Sequence, residues 1–542
     1  MKYQISKSLI LLFLSLAFYY SYACTNLLVT KGASADSSTF LVYLNDGEWL
    51  YHLSQRQAQE HNVNDSLTYT SMTGVKFKIH QIQHTNAIIG FQMNEHQLAI
   101  GETTFLGREE LWDKGLPLKY WELMELALLR AKTAREAIQV ITSLVEQYGY
   151  GSEGESFSIA DPNEAWILEM IGTGGKGGAV WVAMKVPDGK IAAHANHSRI
   201  GTFPINDPDN CLYSENVFSV AMQKGYYDPQ AGLPFEFNSV YDPPSSQHIR
   251  YSESRVWSIY NRAAPSLGLS LDFNRSVEGS NRYPLFIKPD SKLSITDVFS
   301  LVRDHYENTV IDMTKGITAG PFGNPNRVRP LDWEVDSVKY SFERPISTYN
   351  TAFSYVAQLR NYLPNEIGGI VWFGVDDTYT TCYFPIYCCA TEISKPFKTG
   401  DINHYSRESA WWAFNLAANY ANIRYKDIVI DIINEQQSLE SLFILQQDSI
   451  ESIALSLETN DRIDFLTQYS SSMGELVHST WVALGDRLIT KYNDGYIKDD
   501  NNRIKSVGYP EHWLNSISKQ EAGKHIINNS KNTKRSSDSS EL

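Results

Sequence analysis

One cysteine near the start of this chain carries the groups that nucleophilic chemistry needs. Ser21 and Ala23 form the small-x-small pattern that ends a secretory signal peptide, so cleavage after Ala23 would make Cys24 the new N-terminus. That residue would then hold a thiol and a free α-amine, whose ordinary pKa is about 7.7–8.0. A neutral amine can accept the proton of its own residue's thiol. The sequence therefore predicts that Cys24 is a nucleophile with its own base.

Two other roles for this cysteine follow from the same position. It could be an ordinary cysteine that follows a signal peptide, or the acylated cysteine of a lipoprotein. Lipoprotein signals usually place a leucine three residues before the cysteine and small residues next to it, a pattern that Ser21 and Tyr22 fit poorly. Lipid anchoring through Cys24 is therefore the less favoured alternative.

Charge and hydropathy narrow the class of protein. The formal net charge is -15, which leaves no excess of Lys and Arg for nucleic-acid phosphates. Lys2 and Lys7 precede a twelve-residue apolar run from Leu9 to Tyr20. Such a run suits a signal peptide and is shorter than the roughly 20 residues that span a bilayer. We expect an exported protein, secreted or periplasmic, without a membrane span and without a nucleic-acid partner.

The other cysteines and the histidines do not predict a metal or cofactor site. His80 and His84 lie in a predicted β-hairpin, but no cysteine or carboxylate with ligand spacing joins them. The glycine-rich loop at residues 172–178 lacks the Gly-Lys-Ser/Thr ending of a phosphate-binding loop. We therefore expect no metal and no organic cofactor. Five cysteines do not make a disulfide scaffold in a chain of this length, and pairing stays open for Cys211, Cys382, Cys388 and Cys389.

The elements around Cys24 are predicted to hold it on rigid backbone. Residues 24–29 and 39–44 alternate or are rich in β-branched residues, and the turn cluster between them predicts a β-hairpin. A second hairpin is predicted from residues 74–82 and 86–93. Two helices should follow, the first over residues 118–132 and the second beginning at Thr133 with a capping box. This order suggests helices that cover a sheet.

The residues from Cys24 onwards resemble the cysteine dipeptidases of the N-terminal-nucleophile (Ntn) hydrolase superfamily, the dipeptidase A family. The resemblance rests on CTNLLV at residues 24–29, on ASADSST at residues 33–39 and on NEHQLAIGETT at residues 94–104. It continues through later blocks at residues 158–166, 181–200, 320–323, 368–374 and 409–412. The order of these blocks, with a cysteine at the cleavage point, makes the combination specific.

The resemblance implies an α+β fold, an Ntn-hydrolase-like αββα four-layer sandwich with a mainly helical C-terminal extension. The expected parts are a signal peptide at residues 1–23, a peptidase domain at 24–431, a helical extension at 432–518 and a disordered tail at 519–542. The implied activity is hydrolysis of dipeptides, a small peptide substrate, without metal or organic cofactor. Assembly into a homo-oligomer is left open.

The resemblance also implies roles for particular residues. Cys24 would attack the peptide carbonyl and form a thioester that water hydrolyses. Asp46 would hold the α-amine, although an Asn-Asp-Gly turn would explain it equally well. Asn196 would donate to the oxyanion, with a turn or cap asparagine as the alternative. We expect substrate contacts from Arg255, Glu102 and Thr104, with a surface salt bridge as the alternative for Arg255.

Two departures from the family pattern stand out. Many relatives carry Arg-Asn-x-Asp at the end of the second strand, where this chain has Tyr43-Leu44-Asn45-Asp46. An arginine that steadies the thiolate is therefore not expected at this position. Gln97 replaces a usual glycine, which should tighten one turn.

Two alternative functions stay open at this point. An Ntn amide hydrolase that acts on acyl amides, of the bile-salt or penicillin type, would keep Cys24 but need an apolar acyl pocket. A non-enzymatic exported lipoprotein or binding protein would have Cys24 acylated or dispensable.

Overall fold

The computed structural model describes residues 24–527, apart from positions 63, 176 and 507. The predicted signal peptide at residues 1–23 and residues 528–542 of the predicted tail lie outside the described residues. Within the described part, antiparallel sheets combine with helices, which confirms the predicted α+β class. The region after residue 409 is mainly helical, also as predicted.

Two large antiparallel sheets contain the strands that matter for the site. In chain order these strands are β1 (Thr25–Val29), β2 (Thr39–Asp46), β3 (Gln55–Arg56), β4 (Ile88–Ile89), β5 (Met93–Asn94), β6 (Ala99–Phe105), β7 (Gly154–Ala160), β8 (Ala165–Gly172), β9 (Ala179–Lys185), β10 (Ile191–His194), β11 (Cys211–Tyr213), β12 (Thr351–Leu359), β13 (Ile370–Val375) and β14 (Phe384–Tyr387). The first sheet has the strand order β10-β1-β2-β12-β13-β14, and the second has the order β11-β9-β8-β7-β6-β5-β4-β3.

The two sheets pack face to face. Strands β6 and β7 of the second sheet lie against β1 and β2 of the first. Every residue of β1, β2, β7 and β12 is buried, because both faces of these central strands are covered. Side chains from the facing sides of β2 and β6 therefore meet in the interior.

Helices cover the outer faces of both sheets. The helices are α1 (Tyr120–Arg130), α2 (Ala134–Tyr148), α3 (Val217–Gln223), α4 (Phe237–Tyr241), α5 (Ser246–Ala263), α6 (Ile295–Val302), α7 (Asn365–Gly368), α8 (Ala410–Ala421), α9 (Tyr425–Leu455), α10 (Thr459–Lys491), α11 (Glu511–Gln520) and α12 (Ala522–His525). Helices α1 and α2 pack on the second sheet, α8, α9 and α10 pack on β13 and β14, and α5 packs on β10. As predicted, Thr133 caps α2, since its hydroxyl accepts from the Glu136 amide at 3.2 Å.

The predicted hairpin between residues 74–82 and 86–93 is wrong. Strand Lys76–His80 pairs instead with the preceding strand Ser66–Thr70. The chain reverses before residue 75, where Gly74 adopts a φ of 87° and its amide donates to the carbonyl of Ser71 at 3.0 Å. Gly74 is thus a turn residue, not the start of the strand. Further two-stranded ribbons pair Gln59–Glu60 with His84–Thr85, Asp332–Val335 with Val338–Ser341, and Ile497–Lys498 with Ile504–Ser506.

The structure contains no disulfide bond, since all five cysteines, which lie within the described residues, are free thiols. No helix in the described range combines the length and the apolar character that crossing a membrane requires. The predicted boundary after residue 431 falls inside α9, which runs without a break from residue 425 to residue 455.

Candidate active site

Cys24 lies between the two large sheets. It directly precedes β1, and because Thr25 pairs with Leu44, Cys24 lies beside Asn45 at the end of β2. Its side chain is buried, with 1% of its surface exposed. Across the interface, the thiol donates to Oε1 of Glu102 on β6, with 3.5 Å between sulfur and oxygen. The thiol is therefore held between a strand end of one sheet and a carboxyl group of the other.

Two polar side chains of β2 complete the surroundings of the thiol. Tyr43 and Asn45 point to the same face because side chains alternate along a strand. The Tyr43 hydroxyl donates to Glu102 Oε1 and lies 3.9 Å from the sulfur. Asn45 Nδ2 donates to the Tyr43 hydroxyl at 2.5 Å and lies 3.9 Å from the sulfur. A phenol and an amide thus stand beside the thiol.

Arg255 ties the backbone of Cys24 to helix α5. Its side chain is buried, and all five of its N–H donors are used within the protein. Nη1 donates to the carbonyl oxygen of Cys24 at 2.5 Å and to Thr25 Oγ1 at 2.9 Å. The remaining donors contact the carbonyls of Tyr251 and Ala195 and the amide oxygen of Asn196. The sequence predicted a substrate contact for Arg255, whereas the structure places its donors on the protein itself.

Asn196 joins the two sheets next to this arginine. It follows β10 and has a φ of 59°, a left-handed conformation that asparagine tolerates better than most residues. Its Oδ1 accepts from Arg255 Nη2 at 3.0 Å, and its Nδ2 donates to the carbonyl of Thr104 on β6 at 2.8 Å. The amide predicted to serve the oxyanion therefore lies at the site and bridges Arg255 and Thr104.

Asp46 is the last residue of β2 and is buried. Its carboxylate pairs with Arg344 and accepts from Thr351 Oγ1 at 2.6 Å. Asp46 therefore belongs to a strand and an ion pair, whereas a turn explanation would leave its carboxylate exposed. No local sequence pattern predicts the ion pair between Asp46 and Arg344, because the two residues are 298 positions apart.

Glu155 is a site residue that the sequence analysis missed. It faces Thr104 across β6 and β7, and Thr104 Oγ1 donates to Glu155 Oε2 at 3.0 Å. The carboxyl groups of Glu102 and Glu155 also share a hydrogen bond. The sequence pattern did not predict this role, because only the register of β6 and β7 places Glu155 diagonally across from Glu102.

The structure brings the predicted residues into one network. Glu102 accepts a hydrogen bond from the thiol, Arg255 donates to the carbonyl of Cys24, and the charge of Asp46 raises the pKa of the Cys24 thiol. Asn196 and Thr104 are joined to each other and, through Arg255 and Glu155, to the rest. None of the described residues forms a group of three or more histidine, cysteine or acidic side chains suited to a metal ion.

The electrostatics of this site keep the thiol protonated. Burial raises the pKa of the Cys24 thiol well above its ordinary value, and the carboxyl groups of Glu102 and Asp46 raise it further. Burial also raises the pKa of Glu102, while burial and the neighbouring Glu102 raise the pKa of Glu155 well above its usual range. A nucleophilic thiol in these surroundings needs a base that removes its proton as it attacks.

Comparison with known proteins assigns the chain to a family. The model of peptidase family C69 matches residues 23–438, a range that contains every residue of the site. A probable dipeptidase from Salmonella dublin is 27% identical over 384 residues, which cover 67% of this chain and 81% of that protein. A probable dipeptidase from Latilactobacillus sakei is 24% identical over 489 residues, 86% of this chain and 95% of that protein. The chain belongs to peptidase family C69.

Proposed function

We propose that this protein is an exported dipeptidase whose nucleophile is Cys24 at the mature N-terminus. The observation that carries the proposal is the buried Cys24 thiol, set between two sheets and surrounded by Glu102, Tyr43 and Asn45. The relatives named probable dipeptidases support the same substrate class. Export to a periplasm or out of the cell follows from the signal peptide predicted at residues 1–23.

In the proposed reaction, cleavage after Ala23 frees the α-amine of Cys24. The sulfur attacks the carbonyl carbon of the dipeptide while the α-amine accepts the thiol proton. The tetrahedral intermediate collapses, its carbon–nitrogen bond breaks, and the proton passes to the leaving amine. Water then attacks the thioester, which releases the first amino acid and returns the proton to sulfur.

The residues around Cys24 have supporting roles in this proposal. Arg255 fixes the carbonyl of Cys24, so that the thiol and the new amine keep one orientation. Asn196 supplies an amide near the place where negative charge develops on the attacked carbonyl oxygen. Asp46 holds the end of β2 through its ion pair with Arg344.

The layering supports an Ntn-hydrolase-like fold as part of the same proposal. Helices α1 and α2 lie outside the second sheet, and α8, α9 and α10 lie outside the first. Cys24 directly precedes β1, which pairs with a neighbouring strand on each side. The resemblance implies an αββα sandwich, two packed sheets with helices outside, and this layering supports it.

The lining of the site favours a charged peptide over an apolar acyl amide. The side chains that contact the thiol are a carboxyl group, a phenol and an amide, from Glu102, Tyr43 and Asn45, and the carboxyl group of Glu155 lies next to Glu102. An acyl pocket of the bile-salt or penicillin type would need apolar side chains in these places. A dipeptide brings an ammonium group that matches this lining.

The test combines the intact mass and N-terminal sequence of the exported protein with a dipeptide assay. We expect an unmodified N-terminus at Cys24 and hydrolysis that Cys24→Ala and Cys24→Ser both abolish. Cys389→Ala, which removes another free thiol, should keep the activity. A lipidated Cys24, a mature chain that starts elsewhere, or full activity of Cys24→Ala would overturn the proposal.

A further inference from the structure

Five buried carboxylates among the described residues pair with arginines, in the ion pairs Asp46–Arg344, Glu253–Arg199, Asp304–Arg262, Glu440–Arg303 and Glu451–Arg360. Another, Glu169, has no ion pair but accepts hydrogen bonds on both of its oxygens. Glu102 and Glu155 differ from both kinds. Both are fully buried, and neither forms an ion pair with any cationic side chain in the described part of the chain.

Each of these two carboxyl groups has one oxygen held by the protein. Tyr43 donates to Glu102 Oε1, and Thr104 donates to Glu155 Oε2. The other oxygens, Glu102 Oε2 and Glu155 Oε1, have no partner among the described residues beyond the hydrogen bond that the two carboxyl groups share. The hydroxyl groups therefore orient both carboxyl groups and leave one oxygen of each for another group.

This arrangement is unfavourable unless a cation joins it. Burying two carboxyl groups without a partner costs free energy, which the pair reduces only by keeping a proton. A carboxylate 3.5 Å from the Cys24 sulfur also opposes formation of the thiolate. Both penalties are relieved when a positive charge binds between Glu102 and Glu155.

The position of the pair relative to sulfur matches one part of a peptide. In an amino acid, the α-nitrogen lies two bonds from the carbonyl carbon, at about 2.5 Å. A carbonyl placed for attack by Cys24 at roughly 3–3.5 Å would therefore bring its own α-nitrogen within reach of Glu102. The opposite end of a dipeptide, its carboxylate, would be repelled from the same place.

On the basis of the proposed function, we propose that Glu102 and Glu155 together bind the α-ammonium group of the substrate's first residue. The ammonium replaces the proton that the two carboxyl groups share, and each uncommitted oxygen accepts one of its N–H groups. The ammonium site would restrict the substrates to peptides that have a free N-terminal amine and are cleaved after their first residue. Peptides with a blocked N-terminus would be excluded.

The test compares two substrates that differ only in the ammonium group, alanylalanine and propanoylalanine. With the mature wild-type protein, we expect kcat/KM for alanylalanine to exceed that for propanoylalanine by on the order of 10²-fold. Glu155→Gln should raise KM for alanylalanine roughly 10–100-fold, with a smaller change in kcat. The change in kcat/KM for propanoylalanine should be much smaller, so that the preference for alanylalanine collapses.

The matched control is Glu153→Gln, two residues away, whose carboxylate pairs with Lys114 at the surface. This variant should keep the wild-type preference. Equal cleavage of both substrates by the wild type, or an unchanged preference in folded Glu155→Gln, would overturn the ammonium site while leaving the dipeptidase proposal intact. Cleavage of neither substrate by the wild type would contradict the proposed function itself.

Discussion

The guanidinium group of Arg255 donates to the carbonyl oxygen of Cys24, with 2.5 Å between nitrogen and oxygen. We predict that Arg255→Lys lowers kcat by about 10²-fold, because one ammonium cannot replace five directed donors and the nucleophile shifts. Thermal unfolding should also occur at a lower temperature, since buried carbonyls lose their partners. Arg250→Lys, five residues earlier on α5 and paired with Glu343, should change neither quantity much. Full activity of Arg255→Lys would contradict this role.

The carboxyl group of Glu102 should control the ionisation of the thiol. Because Glu102 raises the pKa of Cys24, Glu102→Gln should lower that pKa and make the thiol react faster at a fixed pH. The measurement is the rate of alkylation by a small neutral reagent at a series of pH values from about 7 to about 10, on either side of the ordinary thiol pKa. At each pH the variant should react faster than the wild type. Equal rates throughout would show that Glu102 has no electrostatic effect on Cys24.

Asn196 offers a way to separate backbone strain from amide chemistry. Asn196→Ala must adopt a left-handed conformation without the asparagine amide, which costs about 1–2 kcal/mol, whereas Asn196→Gly adopts it freely. We therefore expect the glycine variant to unfold at a higher temperature than the alanine variant. Both should lose activity by roughly 10²–10³-fold, because both lack the amide. Wild-type activity in Asn196→Gly would exclude a catalytic contribution of the amide.

Asp376 should make stability depend on pH. It follows β13, accepts from Asn415 Nδ2 at 2.9 Å, and burial raises its pKa to about 8. The folded protein therefore keeps a proton that the unfolded chain releases above pH 4 (about the ordinary carboxyl value). The free energy of unfolding then falls as pH rises from there to about 8, by up to roughly 1.4 kcal/mol per pH unit.

The variant Asp376→Asn removes this titration and keeps the acceptor for Asn415. Asparagine also tolerates the φ of 64° at this position. We expect the unfolding temperature of the variant to rise relative to that of the wild type as the pH rises from about 5 to about 8. Parallel curves for the two proteins over this range would contradict a protonated Asp376.

The site was predictable where it follows from local sequence. The position of Cys24 before a strand, and of Asp46 at the end of the next strand, comes from the order of a signal pattern, two strands and a turn. Glu102 and Thr104 share one face of β6 because they are two residues apart. The sequence also singled out Gln97 as a replacement for glycine, and its φ of 62° gives the physical reason why glycine suits that position.

The rest depends on which surfaces meet after folding. The register between β6 and β7 cannot be read from the sequence, so the contact between Glu155 and Glu102 could not be predicted. Arg344 reaches Asp46 through a loop that precedes β12, again without a local pattern. The burial of Arg255 was missed because isolated arginines are usually exposed.

The hydrogen bond between Arg255 and Cys24 also determines how early in synthesis the site can form. The two residues are 231 positions apart, so the nucleophile lacks its main anchor until that much more of the chain has been made. At about 5–20 residues per second, synthesis alone imposes a delay of roughly 10–50 s. Contacts this distant in sequence slow the folding of the assembled chain as well. A nascent chain thus contains the Cys24 thiol for tens of seconds before Arg255, the residue that positions it, has been synthesised.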